Sequence, residues 1–143
     1  MAEASEQDVR NLAMQHQELQ KRAEMTQQQM GAIQMAADDC IRAINAIDEL
    51  KDAKDGVEMM LPIGSNSYIH AKLNKVDKIV VNVGAGISVE KTMDDAKETL
   101  TKRNEQFGKI LEQMNASLGQ ITQNLQAIEA KAAEMQAPAM NTE

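Results

Sequence analysis

The chain has 143 residues, 15 basic and 22 acidic, for a formal net charge of −7, and its length fits one domain. Hydrophobic residues make up 43%, yet Tyr68 and Phe107 are the only aromatics, Trp is absent and Met occurs 11 times. Without large rings to supply buried area, an elongated fold with thin apolar seams is expected rather than a conventional core. No apolar run reaches the roughly 20 residues of a membrane span and the first residues are acidic, so a soluble, unexported chain is expected. The single cysteine, Cys40, fits a reducing cytoplasm, and the acidic balance argues against nucleic acid as a partner.

Glycine and proline punctuate only the middle of the chain, where Gly56, Pro62, Gly64, Gly84 and Gly86 fall. The flanks therefore read as long helices and the middle as strands and turns. Over residues 6–55, Leu12, Leu19, Thr26, Ile33, Cys40 and Ile47 recur every seven residues, and Val9, His16, Ala23, Met30, Ala37 and Ile44 sit three residues ahead of each. A seven-residue repeat kept this long marks a coiled coil, because the seam of a straight helix drifts off it. Lys51 and Lys54 followed by Gly56 read as a C-terminal helix signal.

Residues 57–91 alternate with period two. Val57, Met59, Leu61 and Ile63 form one strand and Ile69, Ala71 and Leu73 a second; Ile79, Val81 and Val83 form a third and Ile87 and Val89 a fourth. Turns at Gly64-Ser65-Asn66 and Gly84-Ala85-Gly86 make two β-hairpins, joined through Asn74-Lys75-Val76-Asp77. Isolated hairpins are marginal in water and leave open edges, so these strands are expected to need strands from other chains.

Thr92 ahead of Asp94, Asp95 and Glu98 reads as an N-cap with an acidic first turn, opening a helix over 93–137 that ends at Pro138. Its seam runs through Leu111, Met114, Leu118, Ile121, Leu125, Ile128, Ala132 and Met135. Upstream, Met93, Leu100 and Phe107 have only Lys97 and Asn104 as companions, which weakens the seam near the strands. Each helix would span on the order of 70 Å at 1.5 Å per residue. Reversal through the strands makes the helices antiparallel, with both termini at the far tip. Two registers one heptad apart satisfy the seam, with Leu19 facing either Leu125 or Ala132.

No enzymatic constellation emerges, and neither a metal nor a cofactor is expected. His16 and His70 fall in different elements, and no Cys/His/Asp group has metal-ligand spacing. His16 reads as a tolerated polar seam residue, and Cys40 as a small buried apolar one. Gly84-Ala85-Gly86 lacks the third glycine and the following helix of a nucleotide loop. Both helical flanks are net acidic and the strand segment is near neutral, the ordinary pattern of a solvated exterior. At the tips lie Val9, Leu12, Met14, Ile128, Met135 and Met140, where pairing runs out and flexible methionines suit unspecific apolar contact.

The central residues also carry a resemblance. Leu61-Pro62-Ile63-Gly64-Ser65 opens the hairpins, Tyr68-Ile69 follows, and Asp77-Lys78-Ile79-Val80-Val81-Asn82-Val83-Gly84-Ala85-Gly86 leads to Val89-Glu90-Lys91 and a Thr-Met-Asp-Asp-Ala helix start. This order resembles the alpha subunits of archaeal prefoldin. The match covers about residues 57–103, while the flanks match only in heptad character; two hairpins rather than one mark the alpha class. The resemblance implies a mainly α fold, an antiparallel coiled-coil hairpin with four short strands at its base. It also implies an ATP-independent holdase in which two alpha and four beta subunits join their hairpins into a platform. The coiled-coil tips then hold unfolded client proteins and hand them to a group II chaperonin. Carried over, Leu61, Ile63, Ile69, Leu73, Ile79, Val81, Val83, Ile87 and Val89 would be assembly residues, and the six tip residues would contact clients. The rival expectation is a structural coiled-coil adaptor docking one defined protein partner.

Overall fold

A computed structural model describes residues 5–136; Met140 and the Pro138 stop signal lie outside the described residues. Two helices flank four strands: α1 Glu6–Asp52, β1 Val57–Gly64, β2 Ser67–Leu73, β3 Lys78–Gly84, β4 Ile87–Thr92 and α2 Met93–Gln136. This is the helix, double hairpin, helix order read from the sequence. The chain divides into two compact units, one of residues up to 35 with those from 108 onward, the other Ala36–Phe107.

The helix ends are set by local chemistry. Ser5 and Asp8 form a reciprocal cap on α1: the Asp8 N–H donates to Ser5 Oγ at 3.2 Å and the Ser5 N–H donates to Asp8 Oδ2 at 3.1 Å, satisfying donors that the first turn leaves open. Thr92 caps α2 as the sequence suggests, its Oγ1 accepting from the Asp95 N–H at 3.2 Å. The far end of α1 differs from the reading over 6–55. The helix stops at Asp52, and the Gly56 N–H is taken by the Leu73 carbonyl at 2.9 Å. Gly56 thus opens the first hairpin instead of closing the helix.

In the unit built from the outer parts of the helices, the seam follows the heptad reading. Leu12, His16, Leu19, Ala23, Thr26, Met30 and Ile33 are half-buried on α1, opposite half-buried Leu111, Met114, Leu118, Leu125, Ile128, Ala132 and Met135 and buried Ile121 on α2. His16 Nε2 lies 3.0 Å from Glu129 Oε1, which settles the register: Leu19, three residues on from His16, is level with Leu125 and Gln126 rather than with Ala132.

The unit Ala36–Phe107 holds the tightest packing. Ile47, Val81, Ala96 and Leu100 form a buried cluster, with Ala43, Ile44, Ile79 and Met93 packed against it, so β3 lies on the base of both helices. Ala96 is fully buried, whereas the heptad reading put Lys97 at that step. Lys97 instead reaches across to Asp48, Nζ to Oδ1 2.6 Å, and Lys51 pairs with Asp94 one turn away. The Arg103 guanidinium donates to the Asn82 carbonyl at 2.6 Å and ties the end of β3 to α2.

Each hairpin is a separate two-stranded antiparallel sheet. In the first, Val57 pairs with Leu73, Met59 with Ala71 and Leu61 with Ile69; in the second, Ile79 pairs with Lys91 and Val81 with Val89. Both turns put two successive residues at positive φ, Ser65 (50°) and Asn66 (57°), then Ala85 (51°) and Gly86 (74°). That is the twist-matched two-residue hairpin turn. Gly64 and Gly84 precede these turns at φ 107° and 112°, which side-chain-bearing residues rarely adopt.

Candidate functional site

Two surfaces of the described residues gather apolar side chains that are exposed or half-buried. The first is a groove of about 430 Å³ between the start of α1 and the end of α2, lined by Val9, Leu12, Ala13, His16, Ile128, Glu129, Ala132, Ala133, Met135 and Gln136. Its origin is in the sequence. Where the seam carries Leu and Ile on both sides the helices close on each other. Here α2 offers half-buried Ala132 on the seam beside exposed Ala133, and α1 offers exposed Ala13, all with short side chains. The volume sits at the lower end of what small-ligand sites enclose, but the groove is open along its length.

The structure brings together four of the six tip residues chosen from the sequence, Val9, Leu12, Ile128 and Met135. Met14 is 62% exposed and lies off the groove, because position 14 falls between seam positions 12 and 16. Sequence reasoning placed Ala132 on the seam but missed Ala13, Ala133 and the His16–Glu129 pair. Ala13 and Ala133 each sit one residue off the seam, exposed, and carry little pattern. The pair becomes visible only once the register is known.

The second surface is made by the strands. Among the hairpin residues assigned to assembly, Leu61, Ile63, Ile69, Val83, Ile87 and Val89 are exposed, with Ile63 at 62% and Ile87 at 59%. Leu73 is half-buried. Val81 and Ile79 behave differently: they pack inside this chain, Val81 at 5% exposure, against Ile47, Ala96 and Leu100. On the alternate faces Met60 (61%), Tyr68 (57%) and Val80 (64%) are exposed apolar residues that the period-two reading passed over. With Met60 opposite His70 and Pro62 opposite Tyr68, β1–β2 presents apolar groups on both sides.

Among the described residues, the titrating groups that depart from their ordinary values are Lys51 and Asp94: their mutual hydrogen bond lowers the Asp94 carboxyl and raises the Lys51 ammonium. Both lie on the surface beside the helix base. Among the described residues no group of His, Cys, Asp and Glu side chains is arranged to hold a metal, and no helix is long and apolar enough to cross a membrane.

Two long helices joined through two separate β-hairpins define the fold class. A family model described as prefoldin subunit matches residues 19–137. The chain is 55% identical over 130 residues to the prefoldin subunit alpha of Methanococcoides burtonii, covering 91% of this chain and 94% of that one. It is 50% identical over 139 residues to the prefoldin subunit alpha of Methanosarcina acetivorans, covering 95% and 97%. Among solved structures, a cryo-EM structure of filamentous prefoldin from Methanocaldococcus jannaschii superposes with a TM-score of 0.72 at 18% identity, over 83% of this chain and 98% of that one; it shares the fold. The chain belongs to the prefoldin subunit family, in the company of archaeal alpha subunits, and is a chaperone subunit rather than an enzyme.

Proposed function

We propose that the chain is the alpha subunit of a cytoplasmic, ATP-independent holdase, in which two copies join four beta subunits through their hairpins and the groove holds non-native protein for transfer to a group II chaperonin. The observation that carries this reading is the open apolar groove. Its lining combines half-buried Leu12, Ile128, Ala132 and Met135 with exposed Val9, Ala13 and Ala133. Segments of an unfolded protein expose the same aliphatic side chains and gain by burying them there, by about 25 cal/mol per Å² of apolar area. A single groove of this size binds weakly; several grooves on one assembly gain through effective concentration. Release then needs no hydrolysis, since folding of the client or a competing chaperonin removes the apolar segment.

The assembly half of the proposal rests on Leu61, Ile63, Ile69, Val83, Ile87 and Val89, extended to Met60, Tyr68 and Val80. Native mass spectrometry of the chain mixed with a candidate beta subunit should give a two-to-four hexamer. The holding half is tested by diluting a chemically denatured enzyme into that assembly and following light scattering. Substoichiometric suppression of aggregation is expected. A saturable complex with one folded partner and no effect on scattering would favour the adaptor instead.

A further inference from the structure

The groove is not uniformly apolar. Among its lining residues Glu129 is the one acidic group, and neither Lys nor Arg lines it. Glu129 meets His16 at 3.0 Å while its side chain stays 63% exposed. An imidazole N–H that donates to a carboxylate orients it. The groove therefore presents an aliphatic floor and, on one wall, a held carboxylate facing solvent.

Resting on the reading of the groove as the client site, we propose that Glu129 makes it selective: it favours non-native segments in which an aliphatic side chain is adjacent to a Lys or Arg. The chemistry is complementary on both counts. Leu, Ile or Val fills the space above Ala13, Ala132 and Ala133, beside Leu12 and Ile128. The neighbouring Lys or Arg lays its methylene stem along the same apolar wall and places its charged head at the rim, as long basic side chains do on apolar surfaces. There Glu129 receives it, and His16 holds the carboxylate where that head arrives. A segment flanked by acidic residues meets the same carboxylate with like charge and is disfavoured. Glu129 is in this sense a specificity-determining residue, while the aliphatic lining supplies the affinity.

The test uses the full-length chain and three fluorescein-labelled peptides sharing one Leu-Val-Leu core, flanked by Lys, Gln or Glu, with binding read by anisotropy at low salt. The order Lys, Gln, Glu is expected, with the Lys-flanked peptide about two- to fivefold tighter than the Gln-flanked one, the range of an exposed ion pair. Raising the salt to about 0.5 M should shrink the difference, because exposed pairs are screened. Glu129→Gln should abolish the preference, so that the Lys-, Gln- and Glu-flanked peptides bind alike whatever the change in their common affinity. His16→Gln should weaken the preference and keep the order. Equal binding of the three peptides to the parent chain, or an unchanged preference in Glu129→Gln, overturns the selectivity. Leu12→Asp separates that failure from failure of the site: loss of Gln-flanked binding there shows that the groove is the client surface, whereas undiminished binding overturns both readings.

Discussion

Val80 and Val81 are neighbours on β3 with opposite surroundings, and exchanging each for alanine separates folding from assembly. Val81 is 5% exposed and packs on Ile47, Ala96 and Leu100; Val80 is 64% exposed. Val→Ala removes the equivalent of two methylenes, about 1.6 kcal/mol at ~0.8 kcal/mol each, and the cavity left in a tight cluster raises the cost to about 2 kcal/mol. At the exposed site the same change falls within about 0.5 kcal/mol. Urea denaturation followed by circular dichroism should therefore shift the midpoint of Val81→Ala down by about 1 M, taking a slope of about 2 kcal/mol per molar, and leave that of Val80→Ala nearly in place. Assembly would blur the comparison, so it is made at two protein concentrations a hundredfold apart, and the concentration-independent part is the intrachain effect. In the presence of a beta subunit the order should reverse, with Val80→Asp assembling poorly despite a normal fold. Equal intrachain losses at the two sites, or a larger one at Val80, would refute the placement of β3 on the helix base.

Three further outcomes follow from the geometry. Ala85 holds a left-handed backbone at φ 51°, so Ala85→Gly should stabilise the second hairpin by about 0.5–1 kcal/mol, net of the extra chain entropy of glycine; Gly84→Ala should destabilise it, and denaturation midpoints distinguish the two. Lys51 and Asp94 impose a pH signature. With the folded Asp94 carboxyl below its ordinary value, its contribution is present above the unfolded value and is lost as pH falls through the folded one. With Lys51 raised, its contribution is complete below the unfolded ammonium value and is lost as pH rises through the folded one. Lys51→Met should erase both edges of the stability profile, by a small amount because the pair is exposed. Ser5→Ala should cost about 1 kcal/mol of local stability at the α1 N-terminus by removing the cap hydroxyl, read as faster amide exchange confined to the first turn.

Much of this architecture was legible in the residues, and the places where it was not share one cause. The seven-residue spacing from Leu12 to Ile47 identifies its own inner face, since no other helical arrangement keeps those positions together. The alternation in β1 to β4 and the glycines before each turn define the hairpins equally well. Alternation cannot say what covers a strand face. Ile79 and Val81 read the same whether another subunit or this chain's own helices bury them, and Val80 looks like a gap in the pattern although it is the more exposed residue. Ala96 escaped notice because a small side chain carries little pattern. Glu129 escaped because charge on a helix exterior is ordinary until the register places His16 beside it. Of the tip residues, those on the heptad line the groove and Met14, off it, does not.

The central claim is that the groove, and not the exposed methionines of the helix exterior, holds non-native protein. The direct measurement is suppression of light scattering from a diluted denatured enzyme by the assembly carrying Leu12→Asp with Ile128→Asp, beside one carrying Met14→Asp, each with helical content and assembly unchanged. Charge in the groove should abolish suppression, and Met14→Asp should leave it at the parent level. Full suppression by the doubly charged groove variant would contradict the account.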